Sequence, residues 1–160
     1  MDQQRLALGI VFLAAIGTGI VGGIFYGFSS FVMTALARVP VASGVEVMIA
    51  MIRTDVTPSF MIVFIGSGLL CLVAGAGSLY SWNRPGANLV LAASLIYLAG
   101  SIGVTMLFNE PLNQELARSG PALVDELWGR YLAQWTWWNH VRTAASIAST
   151  VLFILALRQR

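Results

Sequence analysis

The sequence predicts an all-α integral membrane fold: a four-helix bundle with an interfacial helix in its first loop and a helical extension ahead of its fourth span. Three observations predict it. Of the 160 residues 58% are hydrophobic and 10% charged, whereas a soluble domain carries about a quarter charged residues. Four apolar segments each reach the roughly 20 residues that a helix needs to cross the hydrocarbon layer. A soluble core of this size would also need a polar shell that the composition does not supply, so lipid must replace much of it.

The first span is predicted over residues 6–33. Gly19, Gly23 and Gly27 recur in it at four-residue spacing, a face for close helix packing. A cleaved signal peptide is the competing account, since Arg5 precedes the run and Ala35-Leu36-Ala37 resembles a cleavage site. The run is about twice as long as a signal core, and the glycine face belongs to a retained helix. In the first loop Val45, Met48, Ile49 and Ile52 fall at helical spacing and predict a short helix lying in the interface. The second span, 58–81, opens on Pro58, which suits a first helical turn. Asn83-Arg84-Pro85-Gly86 is a tight turn into the third span, 88–108. Gly66, Gly68, Gly75, Gly77, Gly100 and Gly103 in these two spans point to backbones that approach closely. The fourth span covers 139–157, and the second half of the connection before it reads as its helical extension. No linker, repeat or low-complexity tract divides the chain, so residues 1–160 form a single membrane domain.

The charged residues are nine arginines and seven acids, with no lysine, giving a formal charge of +2. They are scattered rather than gathered into a basic arm, and nothing supports nucleic-acid binding. The lone Cys71 lies in an apolar run and packs as a small hydrophobe. Arg5, Arg84, Arg158 and Arg160 sit in very short segments on one side of the membrane. Arg38, Arg53, Arg118 and Arg130 are spread over two longer loops that also hold Glu46, Asp55, Glu110, Glu115, Asp125 and Glu126. The denser side is expected to be cytoplasmic, which places both termini there and the long loops outside.

Polar chemistry gathers near those loops. Trp128, Tyr131, Trp135, Asn139 and Arg142 recur at steps of three or four, so at about 100° per residue they share one stripe of a helix. Trp138 lies close to that stripe, whereas Trp137 and His140 point elsewhere. An interfacial aromatic belt accounts for single tryptophans. Arg142 asks for more, because an arginine opening an apolar span must snorkel, pair or face a polar cavity. A second cluster, Thr105, Asn109, Glu110, Pro111 and Asn113, lies at the end of the third span. A cap and a turn would explain it; so would amides presented to a substrate beside the fourth helix.

Transition-metal sites draw on several His, Cys or carboxylate ligands, and the chain has one histidine. No cofactor is predicted; His140 as an axial haem ligand is the alternative. The glycines form no phosphate-binding or dinucleotide motif.

Asn109-Glu110-Pro111-Leu112-Asn113, followed by Trp128, Tyr131, Trp135 and Trp138-Asn139-His140-Val141-Arg142-Thr143, resembles the family of small four-helix membrane proteins that contains the anthrone oxygenases. Gly22-Gly23-Ile24-Phe25-Tyr26-Gly27-Phe28 and Met33 are similar to that family's glycine- and phenylalanine-rich first helix. The first loop matches more loosely, with no asparagine between Arg53 and Phe60 where family members often carry one. The resemblance implies oxygenation of a reduced polycyclic aromatic such as an anthrone, giving the quinone.

For that reaction the chemistry assigns Trp128 and Trp135 to ring packing. Asn109, Asn113 and Asn139 are assigned to hydrogen bonds, with Thr105 as a further substrate contact. Arg142 is assigned to the oxyanion, and Tyr131 or His140 to proton transfer. The expected partners are the bilayer and a lipophilic small molecule, with a homo-oligomer through the glycine faces as a further expectation. The competing class is a transporter or an assembly subunit. Proton-coupled transporters place ionisable residues deep in the membrane, and the interiors of the predicted spans carry no Asp, Glu, Lys or Arg.

Overall fold

The computed structural model describes residues 2–54, 57–119 and 124–159. Asp55 and Arg160 of the charge argument lie outside these, as does the side chain of Asp125. The first apolar segment forms α1 (Asp2–Gly27), which passes through a wide π turn (Phe28–Val32) into α2 (Met33–Leu36), making one membrane helix over Gln3–Leu36. The amphipathic stretch of the first loop is α3 (Val41–Thr54), with Val45 and Met48 buried. Pro58 occupies the first turn of α4 (Pro58–Tyr80), the second membrane helix, where its missing N–H costs nothing. Gly86 closes the following turn at φ 78, and a Cβ there would stand 3.0 Å from the Ala156 carbonyl oxygen, so both backbone and space require glycine.

The third membrane helix departs from the expected end at Phe108. It runs on from α5 (Ala87–Tyr97) through π turns at Leu98–Gly103 and Thr105–Asn109 into α6 (Glu110–Arg118). Asn109 keeps right-handed helical angles, φ −71 and ψ −41, and makes no side-chain cap. A proline ring collides with the carbonyl four residues back in a regular helix; the widened turn ahead of Pro111 makes room for it. The long connection expected after Asn109 is therefore mostly helix. α7 (Val124–Arg158) takes up the rest, merging the expected extension with the fourth span in 35 residues.

The four membrane helices close into a ring: the first packs on the second and fourth, and the third joins the second to the fourth. Their shared core holds Val21, Phe25, Phe64, Cys71, Tyr97 and Phe153. Large apolar side chains such as Ile62 and Leu69 face outward, as a lipid solvent allows. The expected Gly19, Gly23 and Gly27 face is not the packing face throughout. A Cβ at Gly19 would stand 3.5 Å from Thr150, but nothing lies within 4 Å of a Cβ at Gly23. A Cβ at Gly22 would stand 3.3 Å from Ser146 and one at Gly75 3.1 Å from Ser94, and Gly17 against Ser67 and Gly100 against Ala145 are tighter still, so these carry the close contacts instead. Four-residue spacing drifts around a helix of 3.6 residues per turn, so only some of such a row can face one neighbour.

Hydroxyls on α7 tie it to the rest. Thr150 meets Thr18 at 2.9 Å, Ser146 donates to Ser101 at 3.2 Å, and Ser149 donates to the Ala93 carbonyl at 2.8 Å. With no water competing, such bonds hold helices that lipid tails would otherwise solvate equally well. A second core closes one end of the bundle, where α3 and α6 fold over α7 and bury Met48, Leu116, Trp128, Tyr131 and Trp135.

Candidate functional site

The α7 stripe expected from spacing is buried along its whole length: Trp128, Tyr131, Trp135, Asn139 and Arg142 all face the interior. Its rings form a file. Trp128 stacks on Tyr131 with centroids 5.6 Å apart, Tyr131 on Trp135 at 6.3 Å, and Phe28 of the first membrane helix adds to Trp135 at 5.6 Å. Trp128 can lie flat because α3 presents Gly44 beneath it; a Cβ there would come within 2.8 Å of the ring.

At the end of the file stands Arg142, 5% exposed. Its guanidinium lies 4.2 Å from the Phe25 ring centroid and 5.0 Å from that of Trp135. It donates to Asn139 Oδ1 at 2.8 Å and to Thr105 Oγ1 at 3.2 Å. A charge at this depth is costly, and ring faces together with oriented oxygens replace the water it has lost. Asn139 in turn donates to the Phe25 carbonyl and to Ser29 Oγ, both at 2.8 Å. These acceptors sit where the first membrane helix passes into its π turn, at which the regular backbone ladder is broken.

Asn113 of α6 accepts the Tyr131 hydroxyl at 2.9 Å and the Trp135 indole N–H at 2.8 Å through its Oδ1. Asn109 donates to the Trp135 backbone carbonyl at 3.2 Å. The π turn over Thr105–Asn109 thus carries one contact to Arg142 and one to Trp135. π turns recur where a helix must aim side chains away from the regular 100° step.

Eight of the nine expected site residues come together here: Thr105, Asn109, Asn113, Trp128, Tyr131, Trp135, Asn139 and Arg142. His140 stands apart. It is exposed and lines a groove of about 510 Å³ between α2 and α7, together with Met33, Thr34, Thr136 and Trp137. Trp138 stacks on Phe108 at 3.6 Å, bridging the third and fourth membrane helices beside the cluster. Sequence reasoning missed Ser29 and the stacking role of Phe25. A hydroxyl near the end of an apolar span is the advance sign of Ser29, and the phenylalanine-rich first-helix stretch that of Phe25. Among the described residues no three His, Cys, Asp or Glu side chains gather as metal ligands.

Four membrane-spanning helices enclosing an arginine, three asparagines and an aromatic file at one end define a class: small multi-pass proteins whose polar chemistry is held between helices. Residues 60–152, more than half of the chain, match the family model described as anthrone oxygenase, and the chain belongs to that family. The matched stretch contains all eight clustered residues, while Phe25, Phe28 and Ser29 lie before it. Neither the curated proteins nor the solved structures contain a match to the chain.

Proposed function

We propose that the protein is a membrane-embedded oxygenase of a lipophilic reduced aromatic of anthrone type, acting at the α3 and α6 end of the bundle. The observation that carries this reading is Arg142, buried between two ring faces and hydrogen-bonded to Asn139 and Thr105. An anthrone has a methylene acidified by its ring ketone. Loss of one methylene proton delocalises negative charge onto the ketone oxygen, where an arginine held in a low-dielectric site stabilises it. The resulting carbanion adds oxygen to form a carbon–oxygen bond. Protonation gives a hydroperoxide, and loss of water gives the second ketone, so one anthrone and one O2 yield one quinone and one H2O.

Trp128 and Trp135 supply ring packing, and Thr105 and the asparagines supply the polar framework around it. Tyr131, inside the cluster, is assigned to proton transfer, with His140 as the other candidate. The arginine distribution supports an orientation with both termini in the cytoplasm and this site on the outer side. A membrane-impermeant maleimide should label Gln114→Cys in intact cells and spare Asn83→Cys, both exposed positions; the reverse pattern would invert the topology.

Oxygen uptake by the purified protein with anthrone, compared with an Arg142→Met variant, tests the reaction. One O2 consumed per quinone formed, lost in the variant, supports it. No uptake with the folded wild type rejects it and favours an assembly role. That second reading rests on Gly23, Gly66 and Gly77, where an added Cβ meets open space and a second chain could pack.

A further inference from the structure

The three clustered asparagines differ in how much hydrogen-bonding capacity they have left. Asn113 Oδ1 takes two donors, the Tyr131 hydroxyl and the Trp135 N–H, which fills both lone pairs, and its Nδ2 faces Glu110 Oε2 at 3.5 Å. Asn139 spends both amide hydrogens on the Phe25 carbonyl and Ser29 Oγ, while its Oδ1 accepts from Arg142. Asn109 is different. Its Nδ2 donates to the Trp135 carbonyl, which can only accept, and this fixes which way the amide points. Its Oδ1 is fully buried and meets no hydrogen-bond donor among the described residues. A buried carbonyl oxygen without a donor is a standing cost to a fold, and more so away from water.

We infer that Asn109 reads the ligand by accepting one hydrogen bond from it, while Asn113 and Asn139 are positioning residues; the bound aromatic therefore carries an O–H donor. This rests on the oxygenase reading of the site. Two sources share that chemistry. One is a phenolic hydroxyl on the ring system. The other is the enol form of an aryl ketone, in which a methylene proton has moved to the ketone oxygen. A bare quinone offers neither, so the same contact discriminates against an unhydroxylated product and favours its release. The donor supplied by the ligand is also what Asn109 lacks without it, so recognition and repair of the unpaired oxygen are one event.

The test is binding in lipid nanodiscs, read as quenching of tryptophan fluorescence and corrected for partition into empty discs. Three ligands share one ring system: anthraquinone, with no O–H; 2-hydroxyanthraquinone, a phenol with no methylene; and anthrone, which enolises but has no phenol. The wild type should bind at least one donor-bearing ligand about tenfold more tightly than anthraquinone, and the preferred one identifies the source. Asn109→Leu should erase the preference. Asn113→Leu, which disturbs the rings that face every ligand, should weaken all three by the same factor. Equal affinity of the wild type for all three ligands overturns the inference, as does a preference that survives Asn109→Leu. The wild-type comparison decides even if the variant misfolds. Oxygen uptake with anthrone is scored separately: preference without uptake keeps the inference and rejects the oxygenase, and uptake without preference does the opposite.

Discussion

The guanidinium carbon of Arg142 lies 4.2 Å from the centroid of the Phe25 ring, so a charge carried by the fourth membrane helix is held against an aromatic face of the first. A desolvated cation–π contact of this kind contributes about 2 kcal/mol, and Trp135 offers a second face at 5.0 Å. The planar fork matters as much as the charge, because one edge reaches Asn139 and the other Thr105 while the flat sides meet rings. An ammonium is a compact, strongly hydrated point that cannot do both. Arg142→Lys should therefore lower kcat for anthrone oxidation about 100-fold, the scale of losing one oriented donor at an oxyanion. Full turnover in this variant would show that charge alone suffices.

Asn113 joins two buried donors through one oxygen. Asn113→Leu takes that acceptor from the Tyr131 hydroxyl and the Trp135 N–H together, and each lost bond in a dry site costs about 1–3 kcal/mol. The variant should unfold at lower temperature in detergent, with tryptophan emission shifted before global melting as Trp135 loosens. Asn113→Asp combined with Glu110→Gln keeps an acceptor for both donors without setting two carboxylates together, and should recover part of the stability. An Asn113→Leu melting curve matching the wild type would remove Asn113 from the positioning role.

The fold was legible because lipid acts on whole segments: long apolar runs can only become spanning helices. The α7 stripe was legible for a related reason, since one regular helix converts spacing directly into direction, and it separated Arg142 from His140 correctly. The third membrane helix resisted the same reading. Its π turns shift the angular step at Leu98–Gly103 and again at Thr105–Asn109, so regular periodicity cannot say where Asn109 and Asn113 point, and Pro111 reads as a terminus. The partners on the first membrane helix were hidden too. Ser29 and the Phe25 carbonyl become acceptors only once tertiary packing brings Asn139 beside them.

Gly44 and Gly23 make opposite predictions from the same substitution. A Cβ at Gly44 would stand 2.8 Å from the Trp128 ring and 3.1 Å from the Leu36 carbonyl oxygen, with backbone on one side and a buried ring on the other. Gly44→Ala should lift α3 from α7 and cost about 1–3 kcal/mol, the usual penalty for overpacking. Gly23→Ala meets nothing within 4 Å and should leave the monomer's thermal unfolding unchanged. If Gly44→Ala is the silent one, the docking of α3 on Trp128 is looser than its geometry implies.

Phe108 and Trp138 stack with centroids 3.6 Å apart, closing the seam between the third and fourth membrane helices next to Asn109 and Asn139. A flat aromatic dissolved in the bilayer can replace one ring of such a pair with its own. Removing Phe108 forfeits about 1 kcal/mol of stacking that opening the seam must otherwise overcome, and 1 kcal/mol corresponds to about fivefold in rate. Phe108→Ala should therefore speed association of 2-hydroxyanthraquinone by about that factor in stopped-flow quenching, with a fall of only a few degrees in melting temperature, since Phe108 is already 36% exposed. Trp137→Ala, on the groove beside His140, is the control for the other approach. If Trp137→Ala changes the rate and Phe108→Ala does not, the ligand comes between α2 and α7, and Met33, which lines that groove and packs in the aromatic core, becomes the barrier it must pass.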